Sequence, residues 1–187
     1  MLAIDVSGSM AATDVSPDRL RAAQDAALAF ARSVPRRYQV GLVSFSGRAS
    51  VLVPPTTDRG ALERAIAGLV PAGATADGEA VLASLEAIRG TQPGAGDGRP
   101  LEAARILLLS DGASTTGAPV PEAAERARAA GVPVFTVSLG TDEGILPNGT
   151  RVPPDVPGMR ALAAVTGGEA YESRDADSVG DVYERLG

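Results

Sequence analysis

The chain has 187 residues, 44% of them hydrophobic and only 3% aromatic, and a formal net charge of −6; that is enough for one folded domain with an aliphatic core, and it excludes a disordered chain. There is no Cys and no His, and all 17 basic residues are Arg, which excludes disulfides, thiolate chemistry, a Ser-His-Asp triad and any metal site built on sulfur or imidazole. No dense basic run is present, so nucleic acid is not an expected partner.

Met1 to Ile4 reads as a buried strand ended by Asp5. It is short for a central strand, which usually has about 5–6 residues, and we expect the chain to be a piece of a longer protein. Ser16-Pro17-Asp18 reads as a helix start, with Ser16 as the capping hydroxyl, and the helix continues through Leu20, Ala23, Ala27 and Phe30 to about Val34. Tyr38 to Phe45 reads as a strand and Ser46-Gly47-Arg48 as a tight turn. Ala49 to Val53 follows as an antiparallel return strand. Thr57-Asp58 caps a helix carrying Leu62, Ile66 and Leu69.

A loop from Pro71 to Gly78 then feeds a helix expected from about Glu79 to Ile88. Gly90 to Pro100 is rich in Gly and Pro and reads as a surface loop. Ala104 to Ser110 is an apolar strand, Pro119 to Ala130 a helix and Val132 to Leu139 a strand. Ile145 to Val152 carries an Asn148-Gly149 turn and reads as a small hairpin. Met159 to Val165 is a helix, Ala170-Tyr171 an edge strand and Ser178 to Leu186 a final helix. No apolar stretch reaches the roughly 20 residues of a membrane-spanning helix.

Alternating strands and helices predict an α/β fold, a doubly wound, mostly parallel six-stranded sheet with helices on both faces. Right-handed crossovers give the order 3-2-1-4-5-6 with strand 3 antiparallel. Strands 1 and 4 then sit side by side at the topological switch point, outside whose carboxyl ends such sheets bind ligands.

Asp5-Val6-Ser7-Gly8-Ser9 places a carboxylate and two hydroxyls at alternate positions as the chain leaves strand 1. That is half of an oxygen cage for a hard divalent cation. Ile106-Leu107-Leu108-Leu109-Ser110 running into Asp111-Gly112 places a second carboxylate at the end of strand 4. Taken alone, Asp5, Ser7 and Ser9 also fit an Asx or Ser/Thr turn. Asp77 reads as a cap or a solvated charge, Asp14 as surface charge or part of a turn, and the scattered Arg residues as solubility. Ser114, Thr115 and Thr116 are placed to line a rim.

With these residues in view, the chain resembles a von Willebrand factor type A domain, a Rossmann-like fold whose metal-ion-dependent adhesion site has the pattern D-x-S-x-S, then a Thr, then an Asp after the fourth strand. Asp5, Ser7 and Ser9 match the first part, Thr75 in Gly73-Ala74-Thr75 the second, and Asp111 in Ser110-Asp111-Gly112 the third. Met10 to Asp14, Val53 to Asp58 and Thr166-Gly167-Gly168 narrow the likeness to bacterial membrane-anchored proteins of this kind, often working beside MoxR-type AAA+ ATPases.

The resemblance implies a single domain over 1–187, anchored at the cell membrane through its parent and facing the envelope, with no membrane contact of its own. It implies a non-enzymatic protein-binding module. Ser7 and Ser9 would be direct ligands of Mg²⁺ (or Mn²⁺ or Ca²⁺), Thr75 a direct or water-bridged one, and Asp5 and Asp111 holders of metal-bound waters. A partner would supply an acidic residue to the open position. Two rival readings stand beside it. One is a Mg²⁺-dependent phosphoryl-transfer enzyme with Asp5 as nucleophile, against which stand Ser7 in place of a second Asp and the absence of Lys. The other is a structural domain with a vestigial metal site.

Overall fold

The computed structural model describes residues 1–92, 101 and 103–173. Residues 93–100 of the expected Gly/Pro-rich loop, and the whole of the expected helix Ser178 to Leu186, lie outside the described residues. Six strands form one sheet: β1 (Leu2–Asp5), β2 (Val40–Phe45), β3 (Ala49–Thr56), β4 (Ile106–Ser110), β5 (Val134–Leu139) and β6 (Ala170–Ser173). Their spatial order is β3-β2-β1-β4-β5-β6, with the β2–β3 pair antiparallel and every other pair parallel. This is the α/β architecture that the sequence predicts.

Because helices cover both faces, the central strands are apolar throughout rather than alternating. Leu2 and Ile4 of β1 face one core layer, with Leu42, Leu107 and Leu109. That layer is closed by α1 (Arg19–Ser33) and α2 (Arg59–Ala67). Ala3 of β1 faces the other, with Val43, Ile106 and Leu108, under α3 (Asp77–Arg89), α4 (Val120–Ala129) and α5 (Val156–Thr166). The period-2 reversal of side chains along each strand sorts the residues between the layers. Ala22, Ala23, Ala26, Ala27 and Ala31 give α1 a face of small buried side chains. Gln24, buried in the same helix, donates from Nε2 to the carbonyls of Ile66 and Leu69 and so ties α1 to the end of α2.

Several local expectations are corrected. Asp18, not Ser16, caps α1, its carboxylate accepting from the Arg21 amide at 2.8 Å. β3 continues past Val53 through Pro54 and Pro55 to Thr56; it is an edge strand, where a missing amide donor is tolerated. Helix α3 begins at Asp77, two residues early, with Ala76 at the cap position and no side chain capping it. The expected Asn148-Gly149 turn, by contrast, is present and closes a minimal hairpin, with Ile145 and Arg151 in an antiparallel bridge and Gly149 donating to the carbonyl of Leu146 at 2.8 Å. A 3₁₀ turn at Gly8–Ala11, which no sequence periodicity marked, follows β1. No helix among the described residues is long and apolar enough to cross a membrane.

Candidate metal centre

The site grows out of strand register. β1 and β4 pair in parallel with Ile4 opposite Leu109, so the next step sets Asp5 beside Ser110. The Ser110 hydroxyl donates to Oδ2 of Asp5 at 2.8 Å. The other oxygen, Oδ1, accepts from the Ser7 amide at 2.7 Å and curls the chain away from the strand. Met10, wholly buried, anchors the 3₁₀ turn from beneath. The turn brings Ser9 back over the sheet end, where its hydroxyl meets that of Ser7 at 2.9 Å and donates to Oδ1 of Asp111 at 2.6 Å.

Asp5, Ser7, Ser9 and Asp111 are thus joined in one hydrogen-bonded chain. Asp5 and Asp111 have no exposed surface. Thr75 lies on the neighbouring loop, 6% exposed. That loop is held by main-chain bonds on both sides: Gly8 donates to the carbonyl of Gly73 at 3.0 Å and Ala72 to that of Val6 at 2.6 Å, while Thr115 and Thr116 donate to that of Thr75 at 2.9 and 3.2 Å. Gly73 turns the loop with φ +77°, a conformation that favours glycine. No hydrogen bond joins the Thr75 hydroxyl to another described residue, so the structure brings its loop, but not its side chain, into the bonded chain. Of the expected rim residues, Ser114 and Thr115 brace the neighbouring loop, accepting from the amides of Asp77 and Thr75 respectively.

Four side chains have roles that sequence reasoning missed. Arg19 is wholly buried. It donates from Nη1 to Oδ2 of Asp111 at 2.8 Å, from Nε and Nη2 to the two oxygens of Asp14 at 2.8 and 2.7 Å, and from Nη2 to the carbonyl of Val152 at 2.9 Å. Asp14 in turn accepts from the amide and hydroxyl of Thr141 at 2.7 and 3.1 Å. Arg19 is therefore not a solubility charge, and Asp14 not a surface one. Arg59, also largely buried, serves the fold by donating to the carbonyls of Thr56 and Tyr38. Asp77 is neither a cap nor solvated: it is 4% exposed, and its Oδ1 has no hydrogen-bond partner among the described residues. The sequence signals for Arg19 and Asp14 were their five-residue spacing and a charge on an otherwise Ala- and Leu-lined helix face.

Burial, and then the neighbouring Asp111, push the carboxyl of Asp5 up to about 7, against the bonds from Ser7 and Ser110. Burial and then Asp5 do the same for Asp77, also to about 7. Asp111 is raised by burial, with Ser9 and Arg19 pulling the other way. For Asp14, the bonds from Arg19 and Thr141 outweigh burial, and its carboxyl stands below the ordinary range. Among the described residues, no ion pair reaches Asp5 or Asp77.

The donor set is all oxygen: two buried carboxylates and three hydroxyls, a set suited to a hard divalent cation and unsuited to a soft one. Among the described residues no group of three or more Asp or Glu forms a cage by itself, so a cation here depends on the hydroxyls. The orphaned oxygen of Asp77 and the lack of an ion pair at Asp5 among the described residues fit a site that would accept a cation.

Residues 1–113 match the family model of the von Willebrand factor type A domain. A UPF0353 protein of Mycolicibacterium paratuberculosis is 41% identical over 197 residues, covering 100% of this chain and 58% of that protein. One of Mycobacterium leprae is 42% identical over 195 residues with the same coverage. The chain therefore spans about three fifths of the length of the curated relatives it matches. In fold it is similar to an aerotolerance-related membrane protein of Bacteroides fragilis (TM-score 0.80, 22% identity, covering 99% of this chain and 96% of that one). It is also similar to the conserved hypothetical protein BatB of Bacteroides thetaiotaomicron (TM-score 0.81, 23% identity, covering 99% and 95%). With its sheet order, its helices on both faces and this sequence match, the chain belongs to the von Willebrand factor type A domain family.

Proposed function

We propose that this domain is a protein-binding module whose binding depends on a divalent cation of the Mg²⁺ or Mn²⁺ class, held by Ser7, Ser9, Thr75, Asp5 and Asp111. The observation that carries this reading is the hydrogen-bonded chain from Asp5 through Ser7 and Ser9 to Asp111, buried at the adjoining ends of β1 and β4 with no ion pair at Asp5 among the described residues. Membership of a family whose domains typically mediate protein interactions supports it.

The hydroxyls of Ser7 and Ser9 would hold the ion directly, with Thr75 beside them. Asp5 and Asp111 would hold its waters, since each carboxylate oxygen already accepts a hydrogen bond from the protein. Bound so, the ion supplies a Lewis-acidic position for a carboxylate oxygen of the partner. Ser7 and Ser9, as neutral ligands, leave that position electron-poor. A cleft beside the site, lined by Asp77, Gly112, Ser114, Asp155 and Met159 among others, gives a partner segment room.

Phosphoryl transfer with Asp5 as the attacking nucleophile is the weaker reading. Both oxygens of Asp5 are engaged and the residue is inaccessible, which disfavours nucleophilic attack. The structural neighbour described as a membrane protein, and the greater length of the curated relatives, support a parent that carries this domain at the cell membrane. An acidic partner protein, or a MoxR-type ATPase working beside it, belongs to the same proposal.

Calorimetric titration of Mg²⁺ and Mn²⁺ into EDTA-stripped protein tests the reading. Saturable binding that disappears in Asp5→Ala and in Asp111→Ala is expected. Absence of binding at millimolar ion would sink the cation-dependent reading and leave a structural domain that binds through other surfaces.

A further inference from the structure

We propose that Arg19 sets the ion preference of this site, selecting a small six-coordinate cation over Ca²⁺ by taking one oxygen of Asp111 out of reach. The inference rests on the reading that a cation binds here, and it concerns which one.

Asp111 ends β4 with its two oxygens committed to different neighbours. Oδ1 accepts from Ser9, a residue of the candidate ligand set, while Oδ2 accepts from Nη1 of Arg19, and neither side chain of the ion pair has exposed surface. The guanidinium cannot swing away to release Oδ2. Its Nε and Nη2 are forked onto Asp14, and Nη2 also reaches the carbonyl of Val152. Asp14 is fixed in turn by the amide and hydroxyl of Thr141. From the far side, two glycines close over the group: a Cβ on Gly140 would lie 2.5 Å from it, and one on Gly144 would lie 2.1 Å from Nη2. Glycine at both places is what lets the backbone press against the guanidinium.

Asp111 therefore has only Oδ1, bonded to the rotatable hydroxyl of the candidate ligand Ser9, to turn toward an ion or its water. The two oxygens of Asp5 are similarly tied, to the Ser7 amide and the Ser110 hydroxyl. A site so poor in free carboxylate oxygens suits Mg²⁺ or Mn²⁺, which take six ligands and keep several waters. It ill suits Ca²⁺, which gathers six to eight oxygens and commonly takes a carboxylate through both. Releasing Oδ2 of Asp111 would add an oxygen and restore uncompensated negative charge, and both changes favour Ca²⁺.

The test is the ratio of Ca²⁺ to Mg²⁺ affinity, measured calorimetrically on EDTA-stripped protein for the wild type, Arg19→Gln and Asp14→Asn, with thermal unfolding of each metal-free form recorded alongside. The wild type is expected to bind Mg²⁺ more tightly than Ca²⁺. Arg19→Gln is expected to raise the Ca²⁺/Mg²⁺ affinity ratio about tenfold or more, the size of effect that groups behind metal ligands have. Asp14→Asn loosens the same buried network but leaves Arg19 on Asp111, so its ratio should stay within about twofold of wild type. A purely structural Arg19 would weaken both ions alike in both variants, and that result overturns the proposal. So does a wild type that binds Ca²⁺ as tightly as Mg²⁺, a measurement that needs no variant and stands even if Arg19→Gln fails to unfold cooperatively. A wild type that binds neither ion instead removes the underlying reading of the site.

Discussion

Nη1 of Arg19 and Oδ2 of Asp111 meet at 2.8 Å, 92 residues apart in sequence and both fully enclosed. An ion pair in such surroundings adds little net stability over a well-packed apolar pair, but removing one partner strands the other without water. Arg19→Met strands two carboxylates, Asp111 and Asp14. We expect it to cost about 3–5 kcal/mol, read as a lower urea midpoint at unchanged slope. A loss below about 1 kcal/mol would show that water reaches the pocket and that the enclosure of the pair is not the governing fact.

Asp5→Asn should move stability and binding in opposite directions. Burial and Asp111 make the ionised form of Asp5 costly in the metal-free protein, and the amide retains an oxygen for the Ser7 amide. The metal-free variant should gain about 1–3 kcal/mol at pH 7.5 while losing calorimetric Mg²⁺ binding. A variant that loses both stability and binding would mean that Asp5 is chiefly a structural acceptor.

The acidity of the site predicts how stability runs with pH. Asp5 and Asp77 have folded pKa values of about 7, above their ordinary 3.8. Between pH 4 and 7 the folded, metal-free protein thus holds more protons than the unfolded chain. The favourable contribution of these two groups is complete below pH 4 and is lost as pH rises to 7, by up to about 1.4 kcal/mol per pH unit for each. Asp14 runs the other way: its carboxyl is lowered, so its contribution is present at neutral pH and lost on acidification. Mg²⁺ must displace protons from the site, so its affinity should climb from pH 5 to 7.5 with proton release. Calorimetry in buffers of different ionisation enthalpy would show this, and a pH-independent affinity would contradict it.

Gly144→Ala tests the packing over Arg19 from outside the site. The added methyl would lie 2.1 Å from Nη2 of Arg19, 2.9 Å from Oδ2 of Asp14 and 3.1 Å from the carbonyl of Val152. The guanidinium is held by several hydrogen bonds and cannot step aside without breaking one. We expect a loss of about 1–3 kcal/mol, as for an overpacked core, together with weaker Mg²⁺ binding. Gly149→Ala, on the same segment with open space around its Cβ but φ +84°, should cost about 1 kcal/mol and leave ion affinity alone.

The sheet order and the position of Asp5 beside β4 were legible because β1 and β4 are short apolar runs each running into an acid, and crossover handedness leaves few ways to arrange such runs. Local chemistry was harder to read. Ser16 and Asp18 are both good caps, and only the observed start at Arg19 decides between them. Pro54 and Pro55 looked like the end of a strand because sequence does not tell an edge from a centre. Asp14, Arg19 and Asp77 looked solvated because charge usually is. Asp14 and Arg19 are held by Thr141 and Val152, which the chain brings to them only after β5, and Asp77 feels Asp5, at the end of β1, only once the sheet is assembled.

The loops around the site are tied to one another mainly through peptide groups: Ala72 to Val6, Gly8 to Gly73, and Thr115 and Thr116 to Thr75. Peptide groups are the same whatever side chain they carry, so this frame is indifferent to most substitutions along the rim. Positions such as Ala74, Ala113 and Thr116 can then be recoded without displacing the oxygens beneath. Such a surface can be evolved, or engineered, toward new partners one residue at a time while the ion-holding floor stays where it is.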